Sequence, residues 1–214
     1  MLYCCHIQMV SLITKGLMVL SILHQLGRRP VIAALRSPSD LDQALACGVD
    51  NIFFMGGDVK DIIYSVKQVK ASNRGAFVHS DLIKGLSATD KESVSFIADY
   101  VGADGIVSPK AHIIKETKRM NLYGILHLFI LDSLALDNGL KLARSIMPDA
   151  IELMPGVVGK VIQKFSEELE EIPIVASGLI QTMEEVKACL DAGATSLSVS
   201  DPHLWSLTYE QLQL

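Results

Sequence analysis

Eight short apolar runs, evenly spaced and each followed by a helix start, leave this chain few folds to choose from. They begin near residues 31, 51, 76, 104, 123, 150, 172 and 195, so successive starts lie 19 to 28 residues apart. A step of that size holds one strand, one helix and two short connections. Four joins between a helix and the next strand read alike: GVDNIFF (48–54), GADGIVS (102–108), PDAIELM (148–154) and GATSLSV (193–199). The runs are β-branched and apolar, as strands buried on both faces are. They predict strands over Val31–Leu35, Asn51–Met55, Ala76–His79, Asp104–Val107, Tyr123–Phe129, Ala150–Met154, Ile172–Ala176 and Thr195–Val199. The expected architecture is α/β, a closed parallel (β/α)8 barrel with helices outside. A doubly wound open sheet would carry a Gly-rich fingerprint after its first strand, where this chain has Ser37-Pro38-Ser39-Asp40.

Helix starts punctuate the same pattern. Ser37 caps with Pro38 at the first helical position, Thr89 with Glu92 and Thr182 with Glu185 read as capping boxes, and Asp132 or Ser133 caps another helix. Ser108-Pro109 repeats the Ser-Pro start, and Gly193 supplies a left-handed stop. The 214 residues, half of them apolar, suffice for one large core. Residues 28–214 are assigned to the barrel and 1–27 to an extension, either a helix across the barrel floor or a start assigned too early, with Met18 as the beginning. Lys15 in the middle of the apolar stretch 7–26 opposes a membrane span, and no basic segment precedes it as in a signal peptide. Cysteines 4, 5, 47 and 189 match no metal spacing and fit a reduced, cytoplasmic setting, with Cys47 and Cys189 as small buried thiols. Met120, Met147, Met154 and Met183 read as core filler.

Barrel chemistry belongs at the C-terminal strand ends. There stand Arg36, Gly56-Gly57-Asp58, His79-Ser80-Asp81, Ser108 with Lys110, Asp132-Ser133, Glu152, Ser177-Gly178 and Ser200-Asp201. Arg36 suits a bidentate clamp on an anion, or a structural pairing with Asp58 or Glu152. His79 and Asp81 share one face if their strand continues, which suits an acid–base couple, a metal pair or a polar rim. Glu152 lies between Ile151 and Leu153 and needs a partner if it faces inward: Arg36, His79 or a ligand hydroxyl. His127 and His112 read as packing or surface residues. The loops after the last two strands, with a short helix from Pro202, suit a phosphate, although ordinary turns use the same residues.

FVHSDLIKGLS (77–87), ADGIVSPK (103–110), LFILDSLAL (128–136), IELMPG (151–156), VASGLI (175–180) and SVSDPHLW (198–205) resemble the glycerol uptake operon antiterminator regulatory proteins. The likeness runs from about Pro30 to Trp205. It implies a barrel that responds to glycerol 3-phosphate, associates with the leader of a glycerol-catabolism messenger RNA and lets transcription pass a terminator, without catalysis; no cofactor or metal is expected. It further implies Ser177, Gly178, Ser200 and Asp201 around the phosphate, and His79, Asp81 and Glu152 at the glycerol hydroxyls. The chain departs from the family pattern at Leu126-His127, usually Gln-Arg, at Ser177-Gly178, usually Gly-Gly, and at Val199-Ser200-Asp201, commonly Thr-Ser-Asn. A lost arginine and a gained aspartate weaken a phosphate site, and Arg36 is expected to compensate.

The net charge of −5 opposes RNA at long range, but residues 110–164 carry a net +3, leaving −8 elsewhere. Lys110, Lys115, Lys118, Arg119, Lys141, Arg144, Lys160 and Lys164 therefore mark the expected RNA face, on the fourth to sixth helices. Two other functions fit a barrel of this kind. One is an aldolase, epimerase or phosphodiesterase acting on a small phosphorylated substrate; the other is a ligand-binding barrel with a protein partner. The oligomeric state, homo-oligomer included, is left open.

Overall fold

The computed structural model describes residues 22 and 26–213; the readings made for residues 1–19 lie outside them. Eight parallel strands close into a barrel in chain order. They are β1 (Val31–Leu35), β2 (Asn51–Phe54), β3 (Gly75–His79), β4 (Gly105–Ser108), β5 (Tyr123–Phe129), β6 (Ala150–Met154), β7 (Ile174–Ser177) and β8 (Ser196–Val199). Closure is made where Ile32 of β1 pairs with Ser198 of β8. Helices Leu41–Ala46, Val59–Ala71, Lys91–Phe96, Ala111–Arg119, Ser133–Ile146, Gly159–Glu168 and Met183–Asp191 alternate with the strands.

Each strand side chain points alternately out to the helices or into the barrel. The outward set meets helix stripes such as Ile62, Val66 and Val69, or Val161, Ile162 and Phe165, in one continuous apolar layer. The inward set at the lower end is a second cluster, Ile32, Phe53, Phe77, Val107, Ile125, Ala150 and Val175, joined by Ile22 and Leu26. Those last two residues are helical and buried. Gly105 makes the room this layer needs: a Cβ there would stand 2.7 Å from the Phe77 ring and 2.6 Å from the Tyr123 carbonyl oxygen. The barrel floor is therefore a packed apolar plug.

Several helix starts follow the sequence. Thr182 and Glu185 form the reciprocal capping box, Asp132 accepts from the Ala135 N–H, and Ser37 accepts from the Ser39 N–H ahead of the turn Pro38–Asp40. Two differ. Asp90, not Thr89, holds the cap position of Lys91–Phe96 and makes no side-chain cap bond; the Thr89 hydroxyl instead lies against Ser87 and Asp90. Ser108 stays in β4, paired with Leu126, so the next helix starts only at Ala111. Met147 and Met183 are not core filler. Met147 takes a left-handed conformation at the end of Ser133–Ile146, which turns its side chain outward, and Met183 stands on the first turn of its helix; both are exposed.

Candidate functional site

Above the apolar floor the inward positions turn polar. β5 and β6 set His127 opposite Glu152 in register, and the His127 Nδ1 lies 2.6 Å from Glu152 Oε2. From β3, His79 brings its Nε2 to 3.5 Å from the same oxygen. All three side chains are buried, Glu152 completely. The two imidazoles meet edge to face with centroids 5.6 Å apart; Phe53 flanks His79, and Phe129 stands 4.4 Å from the His127 ring. Among the described residues, the buried side-chain atoms His79 Nε2, Ser80 Oγ, Glu152 Oε1, Ser196 Oγ and Ser198 Oγ make no hydrogen bond. Buried polar atoms nearly always find partners. Ser196 opens β8 beside Val175 of the floor, but the other four lie in the upper barrel, and that gathering marks a site.

The electrostatics of this cluster have one consistent solution. Burial drives the His79 proton off, against the pull of Glu152, so the ring is neutral near pH 7. Burial also raises the Glu152 carboxyl, but the histidines and the Ser177 hydroxyl outweigh it and hold the group well below the usual carboxylate range. The pull of a charged His79 fades once that ring is neutral. The His127 hydrogen bond and the Ser177 hydroxyl remain, and they keep Glu152 ionised.

Beside this layer, where β1, β7 and β8 end, lies a cleft of about 40 Å³ whose wall includes Arg36, Met154, Ser177, Gly178, Ser198 and Ser200. Arg36 is exposed and makes no ion pair among the described residues. Its structural alternatives are taken, since Asp58 caps Val59–Ala71 in a box with Asp61 and Glu152 is held by histidine. Gly56 passes so close beneath that a Cβ would lie 2.3 Å from the Arg36 carbonyl oxygen. Gly156 hydrogen-bonds the Ser177 and Gly178 carbonyls, clamping the end of β7. Gly178 and Leu179 both take positive φ, +81° and +64°. At Leu179 that conformation carries strain, of the kind that collects at functional loops.

Arg36, Ser177, Gly178 and Ser200 therefore share the cleft wall, and His79 and Glu152 share the buried layer behind it. Asp81 and Asp201 do otherwise. β3 stops at His79 and a turn follows, with the Leu82 N–H donating to the His79 carbonyl, so Asp81 is exposed and no longer on the His79 face. Asp201 turns its carboxylate to the His203 N–H as the cap of the three-residue turn Pro202–Leu204. It thereby occupies the helix start that the sequence offered to a phosphate. Trp205 then anchors the segment, its indole N–H donating to the Val199 carbonyl. His127, read as a packing residue, is central to the site. Its signal was positional: Ile125 and His127 are two apart and so share the inward face.

His79, His127 and Glu152 place three ligand-type atoms within 4.8 Å of one another, the one such group among the described residues. No described strand contains a lysine, so no described strand carries a Schiff-base nucleophile. Apolar side chains crown the mouth: Phe129, Leu131, Leu134 and Leu179 are all more than half exposed. On the outer face, Lys118 pairs with Asp149, Arg119 with Glu116, and Arg144 and Lys164 both with Glu168. Lys110, Lys115, Lys141 and Lys160 have no ion pair among the described residues. No helix among those residues is long and apolar enough to cross a membrane.

The family model described as glycerol-3-phosphate responsive antiterminator matches residues 31–205. An uncharacterized protein of Escherichia coli (strain K12), YgcP, is 33% identical over 192 residues, covering 89% of this chain and 99% of its own length. The crystal structure of a glycerol uptake operon antiterminator regulatory protein from Listeria monocytogenes is 31% identical with a TM-score of 0.77, covering 82% of this chain and 94% of the other. The crystal structure of a glycerol uptake operon antiterminator-related protein from Thermotoga maritima is 26% identical with a TM-score of 0.72, covering 84% of this chain and 99% of the other. Aldolase structures at 14% identity share the barrel, a likeness of fold alone.

Proposed function

Because this chain belongs to the glycerol-3-phosphate responsive antiterminator family, we propose that it senses glycerol 3-phosphate at the barrel mouth and acts on the leader of a glycerol-catabolism messenger RNA. The observation that carries this reading is one cleft that sets an unpaired cation, Arg36, beside Ser177, Ser198 and Ser200, next to a buried carboxylate with an unused oxygen. A phosphate is held by a guanidinium and hydroxyls; the glycerol hydroxyls then donate to Glu152 Oε1 and accept from the serines. Asp81 and Asp201 contribute charge at the rim, not contacts.

The cleft also suggests how sensing becomes switching. Its volume of about 40 Å³ is far below the roughly 300–1,000 Å³ of ordinary ligand sites. The effector therefore has to part the loops after β1, β7 and β8, and it favours whichever arrangement admits it. RNA that prefers the same arrangement gains affinity by linkage, typically about 1–3 kcal/mol or roughly 5- to 150-fold.

Calorimetric titration with glycerol 3-phosphate, with glycerol as control, tests the effector. Binding of the phosphate ester alone is expected, and Arg36→Ala should remove its thermal shift. Leader RNA retarded equally with and without effector in a gel shift would discard the switch.

A further inference from the structure

The geometry points to a metal site that neither the effector nor the RNA reading calls for: we propose that His79, His127 and Glu152 bind one divalent first-row transition-metal ion inside the upper barrel. The donor atoms come from three strands and converge, all within 4.8 Å of one another. Ligands about 2.0–2.2 Å from a zinc-like ion stand roughly 3.0–3.5 Å apart. Glu152 Oε2 and His79 Nε2, at 3.5 Å, already have that spacing. The 2.6 Å contact between Glu152 and His127 Nδ1 is a hydrogen bond, and it lengthens to ligand spacing when the ion replaces the shared proton. The Nδ1 proton of His127 moves to Nε2, and the ion with the Glu152 carboxylate keeps one net positive charge, which an anion at the open coordination position neutralises.

Two observations separate an ion from a ligand hydroxyl at this point. His79 Nε2 and Glu152 Oε1 are buried without hydrogen bonds, so the cluster presents more lone pairs than its own protons satisfy. A single hydroxyl brings one proton and answers one of them, whereas a cation answers all the donors that face it. Two imidazoles with one carboxylate also select the metal. Magnesium and calcium take oxygen ligands, while zinc and its neighbours in the row take imidazole. Three protein ligands leave at least one coordination position open. Ser177, beside Glu152 and on the wall of the neighbouring cleft, places that position within reach of a molecule entering the mouth.

The test uses the full chain, stripped with a chelator and re-equilibrated with zinc or cobalt(II). Elemental analysis is expected to find one ion per chain, and the cobalt form should show a d–d spectrum of nitrogen and oxygen ligation with no thiolate charge-transfer band. His127→Phe and Glu152→Gln should weaken binding by more than the roughly 10- to 100-fold that losing an outer-sphere partner costs. Wild-type protein that stays free of metal, a thiolate band in its cobalt spectrum, or undiminished binding by a folded His127→Phe variant would each overturn the site. If a variant fails to fold, the wild-type cobalt spectrum decides alone. Titration with glycerol 3-phosphate in the metal-free protein scores the effector reading separately.

Discussion

His79 carries the clearest pH signature of any single residue. Its ring is buried and its folded pKa lies below the ordinary 6.5. On acidification the unfolded chain binds this proton first, so stability falls as pH drops below about 6.5 toward the folded value. Glu152, held low, acts in the same direction at more acidic pH: its contribution is present above the unfolded value of 4.5 and is lost as pH falls toward the folded one. In chelator-treated protein, thermal midpoints should therefore hold near neutrality and decline below about pH 6.5. His79→Gln should flatten the upper part of that decline, and an equally steep fall in the variant removes His79 as its cause. Glu152 was legible as a residue needing a partner because a carboxylate inside an apolar strand has few alternatives. His127 was not, because a histidine is equally at home in packing, and only its register against Glu152 reveals what it does.

Among the elements, strands were read more accurately than the turns that end them. β1, β5 and β6 have the bounds that the apolar runs imply, and the others shift by one or two residues. The shifts matter where side chains change face. Asp81 would share the His79 face only on a continuing strand, and β3 ends at His79 because the next residues fold into a turn. Alternation describes a strand only while the ladder lasts, and the ladder's end is set by its neighbours. Capping chemistry is local, and so was readable at Thr182. Thr182→Ala should cost about 0.5–2 kcal/mol in denaturant unfolding with little effect on effector binding. Gly105→Ala should cost about 1–3 kcal/mol, since the added methyl must displace the Phe77 ring or the β5 backbone. Unchanged stability in the Gly105→Ala variant would mean the floor is loosely packed.

For the molecule as a whole, the eight basic residues of the predicted RNA face divide into two groups. Lys118, Arg119, Arg144 and Lys164 already face carboxylates, so little of their charge is free for phosphates. Lys110, Lys115, Lys141 and Lys160 keep theirs. Charge counting over 110–164 could not separate the groups, since it leaves out Glu168 and does not say which cation each carboxylate meets. Lys115→Glu with Lys141→Glu should weaken leader-RNA binding and lower its salt slope by about 0.7 for each phosphate no longer neutralised, whereas Lys118→Gln with Arg144→Gln should change both little. Equal effects from the two pairs would place the RNA elsewhere. The apolar plug of Phe53, Phe77, Ile125 and Val175 sets a different kind of limit. It makes the barrel a blind well, with a single doorway for arrival and departure. Whatever settles across that doorway, RNA or protein, imprisons the small molecule beneath it, so effector release should slow while the larger partner stays in place.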